Sequence, residues 1–213
     1  KMNTMFEGTF DGDGHYITGL NVSGSEKYAG LFGYIYSGKI LNVGIYGSVS
    51  TDNTDYGDAG GIVGSVNGTS YIANCVSGVN VSGQCAGGIA GYFYGSNSYL
   101  VNCYSTGTVS GSGNAGGIAG SNDSGTIANC YSISTVSGGG KNGMIAGYNG
   151  SGTINPGYYL KGNIDAFGYG SSGTTAFYFT GADSNVFAAA NDADQGKNLV
   201  TALNDNRTNL EGL

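Results

Sequence analysis

Gly88-Ile-Ala-Gly91 recurs letter for letter at 117–120, and close variants stand before it as Gly30-Leu-Phe-Gly33 and Gly61-Ile-Val-Gly64. A fifth copy, Met144-Ile-Ala-Gly147, lacks the first glycine. The central aliphatic residues Leu31, Ile62, Ile89, Ile118 and Ile145 are spaced 31, 27, 29 and 27 residues apart. A steady period of this size marks a repeat architecture, in which each unit buries its apolar face against the next.

Two further registers keep step with the first. Ile40-Leu-Asn-Val43, Ile72-Ala-Asn-Cys75, Leu100-Val-Asn-Cys103 and Ile127-Ala-Asn-Cys130 form one; Ser48-Val-Ser50, Asn80-Val-Ser82, Thr108-Val-Ser110 and Thr135-Val-Ser137 form the other. Segments so short suit strands rather than helices. The gaps between them are too short and too polar to hold the helix of an ordinary parallel crossover. The predicted fold is all-β: a right-handed parallel β-helix with three short strands per coil. About six coils, stacked ~4.8 Å apart, complete it. Glycine supplies the sharp corners, since it takes positive φ without steric cost. The insertions Asp52–Asp58 and Tyr94–Asn97 lengthen two coils and are expected at corners.

Composition agrees. The 213 residues include 43 Gly but 1 Pro, which excludes collagen. Hydrophobic residues at 39% with only 10% charged exclude a generic disordered chain. No apolar run is long enough for a membrane-crossing helix. A net charge of -7 argues against a nucleic-acid partner. The chain opens at Lys1 without a signal-like segment and reads as a piece of a longer protein.

Residues 1–28 are expected to form a first variant coil and N-terminal cap, 29–155 the regular coils, and 156–213 a last coil and cap. Leu199, Val200 and Leu203, at helical spacing, suggest a short helix within 193–206.

The Gly30-Leu-Phe-Gly33 tetrapeptide, the repeated Asn-Cys pairs and the opening GTFDGDGHYITGLNV at 8–22 together resemble the GLUG-motif repeat family over about residues 6–150. The resemblance implies a bacterial, cell-surface or secreted protein, either adhesin-like or a non-catalytic region of an immunoglobulin A-cleaving metallopeptidase. The family contributes no catalytic residues. Met144 and Pro156 depart from its pattern.

Catalytic chemistry finds little support. A zinc peptidase of the His-Glu-x-x-His type needs two histidines, and the chain has only His15, which follows Asp11-Gly-Asp13-Gly and reads as a turn. Glycoside hydrolysis needs paired carboxylates, yet residues 59–150 hold a single acid, Asp123. Asp52, Asp55 and Asp58 read as a solvated loop in preference to a calcium site. No metal and no cofactor is expected. Cys75, Cys103 and Cys130 share a file with Val43, which makes them buried free thiols; Cys85, at a corner, is expected to be the most exposed of the four. Asn42, Asn74, Asn102 and Asn129 are expected to stack as an amide ladder at a bend.

Two sets of residues could bind a partner. With the valines of the third register facing inward, Ser48, Asn80, Thr108 and Thr135, and beside them Ser50, Ser82, Ser110 and Ser137, form an uncharged outward strip. Tyr34, Tyr92 and Tyr148 follow the glycine motif and alternate with Ser65 and Ser121. Tyrosine combines a flat apolar face with a hydroxyl, which suits recognition. The resulting expectation is a monomeric, non-enzymatic, extracellular binding or adhesion module of a bacterial surface protein. Its partner would be a glycan or an extracellular protein. A structural stalk, or an ancillary domain of a larger secreted peptidase or glycan-active enzyme, is the alternative.

Overall fold

The computed structural model describes residues 5–160, 164–170, 174–179 and 187–188. Its strands stack in parallel into a β-solenoid of about five turns, and the described residues contain no helix. One face is a six-stranded parallel sheet: Phe32–Tyr36, Val63–Asn67, Ala90–Phe93, Ala119–Asn122, Ala146–Asn149 and Phe167–Tyr169. The remaining strands belong to one sheet that wraps around the rest of the coil. Its registers match those of the sequence: Lys39–Leu41, Tyr71–Ala73, Tyr99–Val101 and Thr126–Ala128 pair in order. Val49, Val81, Val109 and Val136 likewise align from coil to coil.

The core is a set of stacked files, because parallel in-register pairing places like residues above one another. Ile62, Ile89, Ile118 and Ile145 form one, and Ile40, Ile72, Leu100, Ile127 and Ile154 another; all are fully buried. The valines of the third register and Cys75, Cys103 and Cys130 complete a single cluster.

A strand absent from the three sequence registers precedes each glycine motif: Tyr28–Ala29, Asp58–Gly60, the end of Val76–Gly87, the end of Thr108–Gly116, and Lys141–Gly143. It packs back to back with the strand that follows the motif. A Cβ on Gly64, Gly91, Gly120 or Gly147 would lie 2.6–2.8 Å from the backbone nitrogen of Ala29, Ala59, Ala86 or Ala115. A Cβ on Gly60, Gly87, Gly116 or Gly143 would lie 1.7–2.0 Å from a carbonyl oxygen three residues on. No side chain fits at such separations, so the motif is a steric requirement of the corner.

The asparagines form the expected ladder. Asn42, Asn74, Asn102 and Asn129 all adopt φ between 50 and 55°, a region asparagine tolerates. Each Nδ2 donates to the Oδ1 of the preceding coil, at 2.9, 3.3 and 2.6 Å, and Asn42 donates to Asp11 at 3.0 Å. Pro156 takes the next place and ends the file.

The solenoid runs on past 155. Thr153–Leu160 stacks on the coil before it and on Thr174–Phe179 after it, and Phe167–Tyr169 joins the six-stranded sheet. Phe187–Ala188 then pairs antiparallel with Thr174–Phe179. The helix expected within 193–206 lies outside the described residues.

Candidate functional site

The glycine corner brings two files of side chains face to face. Tyr28, Asp58, Cys85, Asn114 and Lys141 stand in register on the strands before the corner. Tyr34, Ser65, Tyr92, Ser121, Tyr148 and Tyr169 stand in register on the strands after it. The files meet across the corner: the rings of Tyr28 and Tyr34 stack with centroids 5.2 Å apart, Asn114 Nδ2 donates to Ser121 Oγ at 2.8 Å, and Lys141 Nζ lies 4.4 Å from the Tyr148 ring centre.

Alternation with serine leaves Tyr34, Tyr92 and Tyr148 two coils apart, and each is doubled by a second tyrosine. Tyr28 stacks on Tyr34, Tyr94 on Tyr92 at 6.2 Å, and Tyr169 on Tyr148 at 5.6 Å. The serines between are buried under this row, Ser65 at 5% and Ser121 at 1% exposure. The row is therefore a series of aromatic pairs repeated every second coil.

Between the first two pairs lies a groove of about 340 Å³, lined by Tyr28, Tyr34, Tyr56, Tyr92 and Tyr94 around Asp58. Asp58 is 8% exposed. Burial raises its carboxyl to about 7, against the opposing pull of Lys27 and a hydrogen bond from Ser65. The Lys27 ammonium lies 4.3 Å from the Tyr56 ring centre and 5.2 Å from that of Tyr28. A hydrogen bond with the Tyr28 hydroxyl holds that ammonium protonated above its ordinary range, with the charge of Asp58 assisting. The Tyr92 hydroxyl donates to the Asp123 carboxylate. Burial, together with that bond, pushes the Tyr92 phenol up. Asn67 and Gln84 add amides to the groove wall.

The hydroxyl strip lies on a separate stretch of surface. Ser48, Asn80, Thr108 and Thr135 are exposed, as are Ser82, Ser110 and Ser137; Ser50 is half-buried. Some of these groups bond within the strip, Ser48 Oγ to Asn21 Oδ1 at 3.3 Å and the Thr108 amide to Asn80 Oδ1 at 3.2 Å. Ser82 and Ser110 line a shallow depression of about 430 Å³ with Thr51, Gly111 and Gly138. The lengthened loop at 51–57 separates it from the tyrosine groove. Gln84 borders both, its Nε2 tied to the Thr54 carbonyl at 3.2 Å.

Sequence reasoning selected Tyr34, Tyr92 and Tyr148 and missed their facing partners. Tyr28 and Asp58 belong to the strand that the three registers do not contain, and Asp58 departs from the solvated loop expected for Asp52, Asp55 and Asp58 together. Asp52 and Asp55 are exposed on that loop, where the Asn53 carboxamide holds the backbone of Asp55 and Tyr56. Asp58 alone turns into the groove. A signal for this was present: aligning the glycine motifs places position 58 in file with Cys85, Asn114 and Lys141. Cys85, in the same file, is the most exposed of the four cysteines, as expected, yet at 9% it too is buried, with Sγ 3.7 Å from both Ser121 Oγ and Asn114 Nδ2. Its corner folds inward and Tyr92 stands beside it. The other three cysteines are buried free thiols. Near His15, a tight turn forms through Asp13 and Gly14, both at positive φ. Among the described residues no three His, Cys, Asp or Glu side chains converge as a metal site.

No protein-family model and no curated protein matches the chain. A crystal structure from Bacteroides ovatus, described there as a "putative immunoglobulin A1 protease", does. The likeness has a TM-score of 0.59 and 25% identity, over 82% of this chain and 69% of that one, so the fold that frames the tyrosine groove is similar to that of this solved chain.

Proposed function

We propose that this chain is a non-enzymatic binding module of a larger secreted or surface-displayed bacterial protein, and that the tyrosine groove around Asp58 is its binding site. The observation that carries the reading is the groove itself: five tyrosines, a buried carboxylate and a lysine converge on one concavity. Concave sites lined by aromatic surface, with a few fixed polar groups, are the usual form of a ligand site. The GLUG-type repeats and the Bacteroides ovatus neighbour both favour an extracellular bacterial setting.

In its first form the module attaches its parent protein to a host or environmental glycan or extracellular protein. In its second form it is an ancillary domain beside a peptidase or glycan-active catalytic domain, and the name of the neighbour favours this form. Both forms place catalysis elsewhere. The chemistry of the groove supports that division: its acid, Asp58, faces tyrosines and Lys27, while Asp123 is engaged by the Tyr92 hydroxyl.

The test is binding of the 213-residue chain to an array of glycans, mucins, matrix proteins and immunoglobulins, beside a Tyr94→Ala variant and a Thr108→Lys, Thr135→Lys double variant. Saturable binding that Tyr94→Ala weakens and the double variant spares supports the reading. Loss in the double variant alone moves the site to the hydroxyl strip. A correctly folded chain that binds nothing leaves the stalk.

A further inference from the structure

We infer that the tyrosine groove takes an uncharged saccharide chain lying along the solenoid axis. This rests on the binding-module reading and names the ligand class of the same site. The two aromatic pairs bordering the groove, Tyr28 with Tyr34 and Tyr92 with Tyr94, are two coils apart. At the spacing of parallel strands that is about 10 Å. This is close to the length of a disaccharide unit, so every second sugar ring of a chain can meet an aromatic pair, and three rings or more span both. The hydroxyls at the sugar edges then meet the polar groups between the pairs.

Each competing ligand class conflicts with a feature of the groove. An anion would sit beside Asp58 and Asp123 with one base, Lys27, to receive it, on a chain of net charge -7. A cation would be repelled by the Lys27 ammonium, which already lies over the rings of Tyr28 and Tyr56. An apolar ligand would strip solvent from Asp58, Asn67 and Gln84 without replacing its hydrogen bonds, which is costly for buried polar groups. An extended peptide would seek a free strand edge, but Val63–Asn67 and Ala90–Phe93 are paired on both sides, and Phe32–Tyr36, the outermost strand of its sheet, is bridged by Phe6, which bonds the backbone of Tyr34 and Tyr36. A polyol satisfies all four features. Its C–H faces cover the tyrosine rings, its hydroxyls donate to Asp58, and it accepts from Lys27 and the amide of Gln84.

The experiment pairs a printed array of neutral, sialylated and sulfated glycans with calorimetric titration by cellotetraose, maltotetraose, mannotetraose, tetra-N-acetylchitotetraose and choline. The variants are Tyr94→Ala and Tyr56→Ala, whose rings are 51% and 63% exposed and whose loss leaves the core intact. Tyr16→Ala, 59% exposed and outside the groove, is the control. A neutral glycan is expected to bind, with affinity falling about tenfold or more in each groove variant and holding in the control. Choline binding with the same tyrosine dependence overturns the saccharide and leaves the module. Binding confined to sialylated or sulfated glycans does the same, as does capture of a protein from the array that survives its deglycosylation. Neutral-glycan binding indifferent to Tyr94 and Tyr56 overturns the site. Silence across every probe overturns the inference and the module together.

Discussion

Asp58 shows how one residue's environment changes its chemistry. An aspartate in solution is ionised well below neutrality, whereas burial against tyrosine rings raises this one to about 7. The folded state therefore binds a proton that the unfolded state has released at any pH between the two values. Stability from this group is fully present below the unfolded value of 3.8 and is lost as pH rises through about 7. We expect the wild type to melt higher at pH 5 than at pH 8, and Asp58→Asn to remove most of that difference. At roughly 1.4 kcal/mol per pK unit the effect is a few kcal/mol at most. Melting temperatures of the two proteins from pH 4 to 8 check it, and parallel slopes would place the carboxylate in solvent. Glycine gives a second test at this scale. Gly91→Ala puts a Cβ 2.6 Å from the Ala59 nitrogen and is expected to cost about 1–3 kcal/mol or more. Gly139→Ala meets nothing nearer than 3.5 Å, at unstrained φ, and should change stability by less than about 1 kcal/mol in either direction. Denaturant midpoints of the pair decide whether the glycine motif is steric.

At the scale of the element, the asparagine file does the work of a seam. It turns each coil from the second register to the third, holds φ near 50°, and bonds coil to coil. Asn102 is in the middle, with one bond up and one down. Asn102→Ala loses both and adds a Cβ-bearing residue with no polar group to a left-handed bend, at a cost of about 2 kcal/mol. Asn102→Gly recovers the backbone share of that loss, so urea titration should rank wild type above glycine and glycine above alanine. Alanine matching the wild type would mean that the ladder is decoration on a corner held by packing alone.

At the scale of the whole molecule, every coil relies on its neighbours. Ile89 is fully buried in a file that runs through the glycine motifs. Ile89→Asp brings an unpaired charge into that stack and is expected to abolish cooperative folding, read by circular dichroism. Thiol titration of the native chain should find no fast-reacting cysteine, because all four are buried. Cys85, at the edge of the groove, should be the first to react as denaturant is added. Two or more fast thiols in the native protein would contradict the closed stack.

The sequence alone determined the solenoid, since an in-register parallel stack repeats its residue files and the period, the valines, the cysteines and the asparagine ladder could be read from one strand to the next. It also contained three members of the tyrosine row. The tertiary structure alone decided that the strand before each glycine corner turns back on the strand after it. That strand has no strong apolar signature, because its inward places are alanine and glycine, with Asn142 in the last coil, and its outward places differ in every coil. The corner set Tyr28 and Asp58 against Tyr34 and Ser65, and it buried both Cys85 and a carboxylate expected in a solvated loop. A period in sequence reports which residues share a file. Which two files face each other depends on how sharply the backbone turns, and here the close approach of two backbones at glycine decides it.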